Sequence, residues 1–193
     1  MAARFHQVLL ALSMLALCWF GMMAVHESGH VVGAWATGGT VNRVVLNPLT
    51  ISRTDVLPNP SPAIVVWMGP LVGCVLPILA VAVLRRVLGR VNIFYLLAVF
   101  FAGFCLLANG AYIGIGAFDG VGDCGVMLKT GSPFGALLVC GTIAMIVGFM
   151  LWHRLGSLRD FIANPDSVEP ATAWILTSLL IAVLAAEFMP FPM

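Results

Sequence analysis

The sequence predicts an all-α polytopic membrane protein, with four to five transmembrane helices and a small β-hairpin in the first loop. Composition and pattern both lead there. Of 193 residues, 61% are hydrophobic and 9% are charged, and the mean hydropathy is +1.06. Soluble domains carry roughly 25% charged residues, so a water-soluble globule is disfavoured. Apolar runs recur near the roughly 20 residues needed to cross a bilayer core, separated by clusters of glycine, proline, asparagine and arginine. A net charge of +1 offers no basic patch for nucleic acid. Gly114-Ile115-Gly116 lacks the strand–helix frame of a nucleotide site, and no phosphate loop is present. Residues 1–193 read as a single domain without an internal repeat.

The first apolar run extends from about Phe5 to Ala36 and stops at Gly38-Gly39. Arg4 followed by Val8 to Phe20 has the outline of a secretory signal, but the run continues past Gly21. In Leu15-Ala16-Leu17-Cys18 the bulky Leu17 spoils a lipobox, so the segment is read as a retained helix. A polar region follows from Thr40 to Ser61. Within it, Val41 to Leu46 and Leu49 to Ser52 flank Asn47-Pro48 and predict paired strands.

Pro58-Asn59-Pro60-Ser61-Pro62 is a stiff connector to a second helix over about Ala63 to Leu84. Arg85, Arg86 and Arg90 mark an interfacial turn. The third helix is expected from Val91 to Ala108, fraying into a stretch with Gly110, Gly114, Gly116, Gly120 and Gly122. A short helix is expected from Asp123 to Thr130. Spans over Phe134 to Trp152 and Ala171 to Phe188 complete the set.

If every span crosses, six arginines share the amino-terminal side and three basic residues lie opposite, which puts the amino terminus in the cytoplasm. The five cysteines are scattered, mostly through apolar segments, with no Cys-x-x-Cys pair. They read as small hydrophobes.

Chemistry concentrates in His26-Glu27-Ser28-Gly29-His30, near the end of the first apolar run. Positions four apart share a helix face, so both imidazoles can reach one metal ion with the glutamate beside it. Ionisable groups buried in hydrocarbon are costly and mark functional sites. Zinc accepts imidazole nitrogen, and a catalytic zinc usually takes three protein ligands. Glu27 then becomes the general base that takes a proton from the attacking water.

His6 is about five turns from His26 on the same helix, too far to share an ion. His153 falls at a membrane edge, and Glu169 and Glu187, just before and near the end of the last helix, are read as facing water. Asp119 and Asp123 remain, in Phe118-Asp119-Gly120-Val121-Gly122-Asp123-Cys124-Gly125. Irregular backbone at membrane depth is tolerated around cavities, and the alternative is an exposed turn whose aspartates cap a helix.

A helical His-Glu-x-x-His in an apolar segment, the later Gly69-Pro70 pair and a distal Asp-Gly element resemble the site-2 protease family of intramembrane zinc metalloproteases. The resemblance covers about Trp19 to Lys129. It implies that the distal aspartate is the third zinc ligand, followed by Gly-Gly and then a basic or apolar helix start. Asp123-Cys124-Gly125 matches that frame, with Cys124 in place of the first glycine; Asp119-Gly120 matches only the dipeptide and is the second choice.

Asn109 stands as the counterpart of the family's substrate-holding asparagine, at longer spacing and without the accompanying prolines. The family places the carboxyl end of the motif helix toward the cytoplasm, opposite to the arginine count. The resemblance also implies a transmembrane protein substrate, unwound near its end within the lipid bilayer, which the strands between Val41 and Ser52 could pair by an edge.

The expectation is therefore a zinc metalloendopeptidase: catalytic Glu27, metal ligands His26, His30 and Asp123, and substrate-binding Asn109. It is expected as a multi-pass protein of a prokaryotic cell membrane, with neither nucleic acid nor nucleotide as partner. Two competing readings are a membrane zinc hydrolase of lipid or small acyl substrates and a non-catalytic zinc-binding protein. Retention of Glu27 argues against the second, because zinc binding alone does not require it.

Overall fold

The computed structural model describes residues 1–47, 52–90, 92–156 and 158–188. The elements run α1 (Ala2–Ala36), β1 (Val41–Val45), β2 (Arg53–Val56), α2 (Pro62–Leu88), α3 (Ile93–Gly114), α4 (Gly116–Asp119) and α5 (Asp123–Lys129). They continue with α6 (Phe134–His153), α7 (Leu158–Ala163), a 3-10 turn and α8 (Pro170–Phe188). Among the described residues, five helical stretches are long and apolar enough to cross a membrane: Ala2–Ala36, Pro62–Leu88, Ile93–Asp119, Phe134–His153 and Pro170–Glu187.

The chain divides into two compact units, Met22–Leu155 and Met1–Gly21 with Gly156–Met193, and α1 contributes to both. In the latter unit, polar groups on apolar helices find partners. Ser13 Oγ lies 2.9 Å from Thr177 Oγ1, Arg4 donates to the Ile162 carbonyl, and Gln7 donates to that of Phe161. Such pairing satisfies groups that an apolar setting would otherwise leave without hydrogen bonds.

In Met22–Leu155, α1 ends through Gly38 (φ 75°), a conformation that favours glycine, and Gly39 N–H closes onto the Ala34 carbonyl at 2.8 Å. The chain turns straight into an antiparallel hairpin. Its register pairs Val41 with Val56, Arg43 with Asp55, Val44 with Thr54 and Val45 with Arg53. Leu57 N–H to Thr40 O (2.8 Å) and Thr40 N–H to Pro58 O (3.1 Å) extend the ladder toward α1.

The second strand thus lies downstream of the expected Leu49 to Ser52. Residues 49–51 fall outside the described residues, and Ser52 precedes the strand. At the helix end of the hairpin, Thr40 meets Leu57 and Pro58.

Pro62 opens α2 at the first helical turn, where a missing N–H costs nothing. Pro70 and Pro77 lie inside it, each removing the donor for the carbonyl four residues earlier. The third helix does not fray at Ala108; it continues to Gly114. Its glycines are contact points instead. A Cβ on Gly141 of α6 would stand 2.5 Å from both Gly110 O and Gly114 N, and one on Gly110 would lie 2.7 Å from Gly141 O. Small residues let two helix backbones touch, and that packing outweighs their weak helix propensity. Farther along the pair, Trp152 of α6 stacks on Phe100 and donates Nε1–H to the Phe100 carbonyl at 2.9 Å.

The short helix α5 is packed in place by Cys124 and Met127, which join Val66, Ile113, Ala117 and Leu137 in one buried cluster. This cluster carries Asp123, at the head of α5, toward α1.

Candidate metal centre

His26 and His30 sit one turn apart on α1, with ring centroids 4.9 Å apart. Both are 5% exposed, and Glu27 between them is 2% exposed. Ligating atoms of His26, Glu27 and His30 fall within 4.8 Å of one another. Asp123 comes closer still. Its Oδ2 lies 2.9 Å from His26 Nε2 and 3.2 Å from His30 Nε2, and the two Nε2 atoms are 3.1 Å apart. Donor atoms of a tetrahedral zinc with bonds of about 2.0–2.1 Å stand about 3.3 Å apart. The three-atom set is a slightly contracted version of that triangle.

The far side of each ring shows why these atoms call for a cation. His30 Nδ1 lies 2.8 Å from the Val65 carbonyl, which can only accept, so this nitrogen carries the proton. His26 Nδ1 lies 2.6 Å from Asn109 Oδ1, while Asn109 Nδ2 donates to the Cys105 carbonyl at 2.9 Å. The amide is thereby oriented with its oxygen on the ring, and His26 also carries its proton on Nδ1. In the neutral tautomers both Nε2 lone pairs face the same carboxylate oxygen. Three acceptors converge, and a divalent metal reconciles them; so would protons. With the imidazoles protonated on Nε2 as well, both would donate to Asp123; burial raises its carboxyl, but these bonds outweigh burial and hold it well below the usual carboxylate range. The donor set of two imidazoles and one carboxylate suits zinc.

Glycines make room for this arrangement. A Cβ at Gly69 of α2 would lie 2.4 Å from His30 Cε1 and Nε2 and 2.9 Å from His26 Nε2. One at Gly73 would meet the Asn109 amide at 2.8–2.9 Å, and one at Gly29 would strike the Met68 carbonyl at 2.2 Å. Gly69-Pro70, noted in the sequence as a family-like pair, is thus the point where α2 approaches the rings. Gly122 has φ 60°, and a side chain there would collide with the Tyr112 hydroxyl, which accepts the Asp123 N–H at 3.0 Å.

The sequence expectations meet this geometry unevenly. His26, Glu27, His30 and Asp123 come together. Asp119 ends α4 as an exposed residue outside the triangle. Asn109, expected to hold substrate, is 1% exposed, with its oxygen on the His26 ring and its nitrogen on the Cys105 carbonyl.

Two contributors were missed. Tyr112 anchors the Asp123 backbone. Thr54 of β2 donates its hydroxyl to Glu27 Oε2 at 2.7 Å. Nothing local marks either residue: Tyr112 meets a partner 11 residues later and Thr54 one 27 residues earlier. Compared with known protein families, with curated proteins and with solved structures, the chain finds no match.

Proposed function

We propose that this chain is a multi-pass integral membrane zinc metalloendopeptidase, cutting a peptide bond in or near the transmembrane segment of a protein substrate. The observation that carries the reading is the convergence of His26 Nε2, His30 Nε2 and Asp123 Oδ2 within 3.2 Å, beside the buried Glu27. The five apolar helices support a membrane setting. So do the exposed Val139, Ile143, Ile146 and Phe149 along α6, a side that water would penalise and lipid would not.

His26, His30 and Asp123 would hold zinc, leaving a fourth position open. Bound zinc supplies Lewis acidity and brings the pKa of water toward neutrality. Asn109 and the Val65 carbonyl fix the tautomers and ring angles of the two histidines, which raises their basicity. Glu27 takes the proton from the attacking water and returns it to the leaving amine. The Asp123 side chain keeps 22% of its surface exposed, against 7% and 6% for the imidazoles, so water enters from its side. The resemblance to site-2 proteases favours an extended substrate segment paired against the hairpin edge.

The test uses full-length protein in detergent micelles, with dye-labelled casein and a dye-labelled single-span peptide as probes. Glu27→Gln is expected to abolish cleavage while zinc content stays at the wild-type level. Asp123→Ala is expected to lose zinc, and Asp119→Ala to keep it. Undiminished cleavage by Glu27→Gln overturns the hydrolytic reading and leaves a zinc-binding protein.

A further inference from the structure

We infer that Thr54 is the positioning residue of the general base, its hydroxyl fixing one carboxylate oxygen of Glu27 so that the other is aimed at the reacting water. The inference rests on the role given to Glu27 above. Thr54 Oγ1 lies 2.7 Å from Glu27 Oε2 and 3.4 Å from the Glu27 carbonyl, so its single proton goes to the carboxylate. With Oε2 engaged, Oε1 is the oxygen left to carry the proton. The terminal torsion of a glutamate is broad and roughly two-fold; a donor on one oxygen converts it into a single orientation.

The donor is itself rigidly held. Thr54 faces Val44 in the middle of the hairpin, between the Arg53–Val45 and Asp55–Arg43 pairs. Alternation along β2 turns Arg53 and Asp55 to the opposite face, where Arg53 Nε meets Asp55 Oδ1 at 3.3 Å. The Thr40–Leu57 and Thr40–Pro58 bonds tie the strand to the turn that ends α1. The helix that carries Glu27 therefore also carries, through Gly38 and Gly39, the strand that orients it. This assigns the hairpin a task beyond loop packing.

The test compares wild type with Thr54→Val, Thr54→Ser and Glu27→Gln. Thr54→Val keeps the shape and removes the donor. Because a displacement of about 1 Å near reacting atoms can cost about 100-fold, its kcat on dye-labelled casein is expected to fall about 10–100-fold. KM, zinc content and the unfolding midpoint are expected to stay unchanged, with Thr54→Ser restoring the rate.

A second readout needs neither zinc nor turnover. The infrared difference between metal-free wild type and Glu27→Gln isolates the Glu27 carboxylate band. Thr54→Val is expected to shift that band, and Thr54→Ser to leave it in place. An unshifted band with unchanged kcat in Thr54→Val overturns the inference while the base assignment stands, provided Glu27→Gln is inactive. Activity lost together with zinc, and not rescued by serine, also overturns it. Full activity of Glu27→Gln overturns both readings.

Discussion

Two helix crossings in this protein use the same residue for different ends. Where α3 meets α6, glycine faces glycine: Gly110 and Gly114 lie against Gly141, and the two backbones touch. Where α2 meets α1 and α3, the space above Gly69 is filled by the rings of His26 and His30, and that above Gly73 by the amide of Asn109. The first crossing uses its small residues to bring two helix backbones together. The second spends them on housing polar groups between helices that are otherwise apolar. A glycine pair therefore does not reveal its purpose by spacing alone; what stands over it decides.

Substitution should separate the two crossings. Gly69→Ala drives a methyl into both imidazoles, and the expected result is the largest: zinc falls from about one per chain to near zero, measured by elemental analysis. Full zinc retention would break the contrast. Asn109→Ala removes the partner that fixes His26, and zinc retention against a chelator is expected to weaken about 10–100-fold. An unchanged competition curve would return Asn109 to a purely packing role.

Gly141→Ala is expected to act on stability instead. Overpacking costs about 1–3 kcal/mol, and each kcal/mol moves the unfolding midpoint by about 2–4 °C for a chain of this size. Thermal unfolding of the metal-free protein in detergent measures it, with zinc affinity of the folded fraction unaffected. A zinc defect as large as that of Gly69→Ala would erase the distinction.

Much of this was legible because it is local. A helix forces residues four apart onto one face, so His26 and His30 could be placed together before any fold was known. Apolar run length located the five long helices within a few residues at most ends. The failures have a common cause in tertiary packing. Gly110 and Gly114 read as helix breakers because a sequence does not show the facing Gly141 that makes them useful.

Asp123 was recognisable through its neighbours in Asp123-Cys124-Gly125. Its approach to α1 depends on Met127 and Cys124 being buried among Val66, Ile113 and Leu137, which no spacing encodes. Thr54 was invisible for the same reason. Its strand is tied to the end of α1 through Thr40, Leu57 and Pro58, and its partner lies 27 residues earlier.

Asp123 stands 93 residues beyond His30. A chain made from its amino end therefore presents both histidines, the glutamate and the strand threonine long before the last oxygen donor exists. Until α5 has been made and docked, the nascent chain lacks one of the three atoms that converge at this site, and on the function proposed above it would neither hold its ion firmly nor cut its neighbours. On that reading, order of synthesis would act as a safety catch, released when the aspartate arrives.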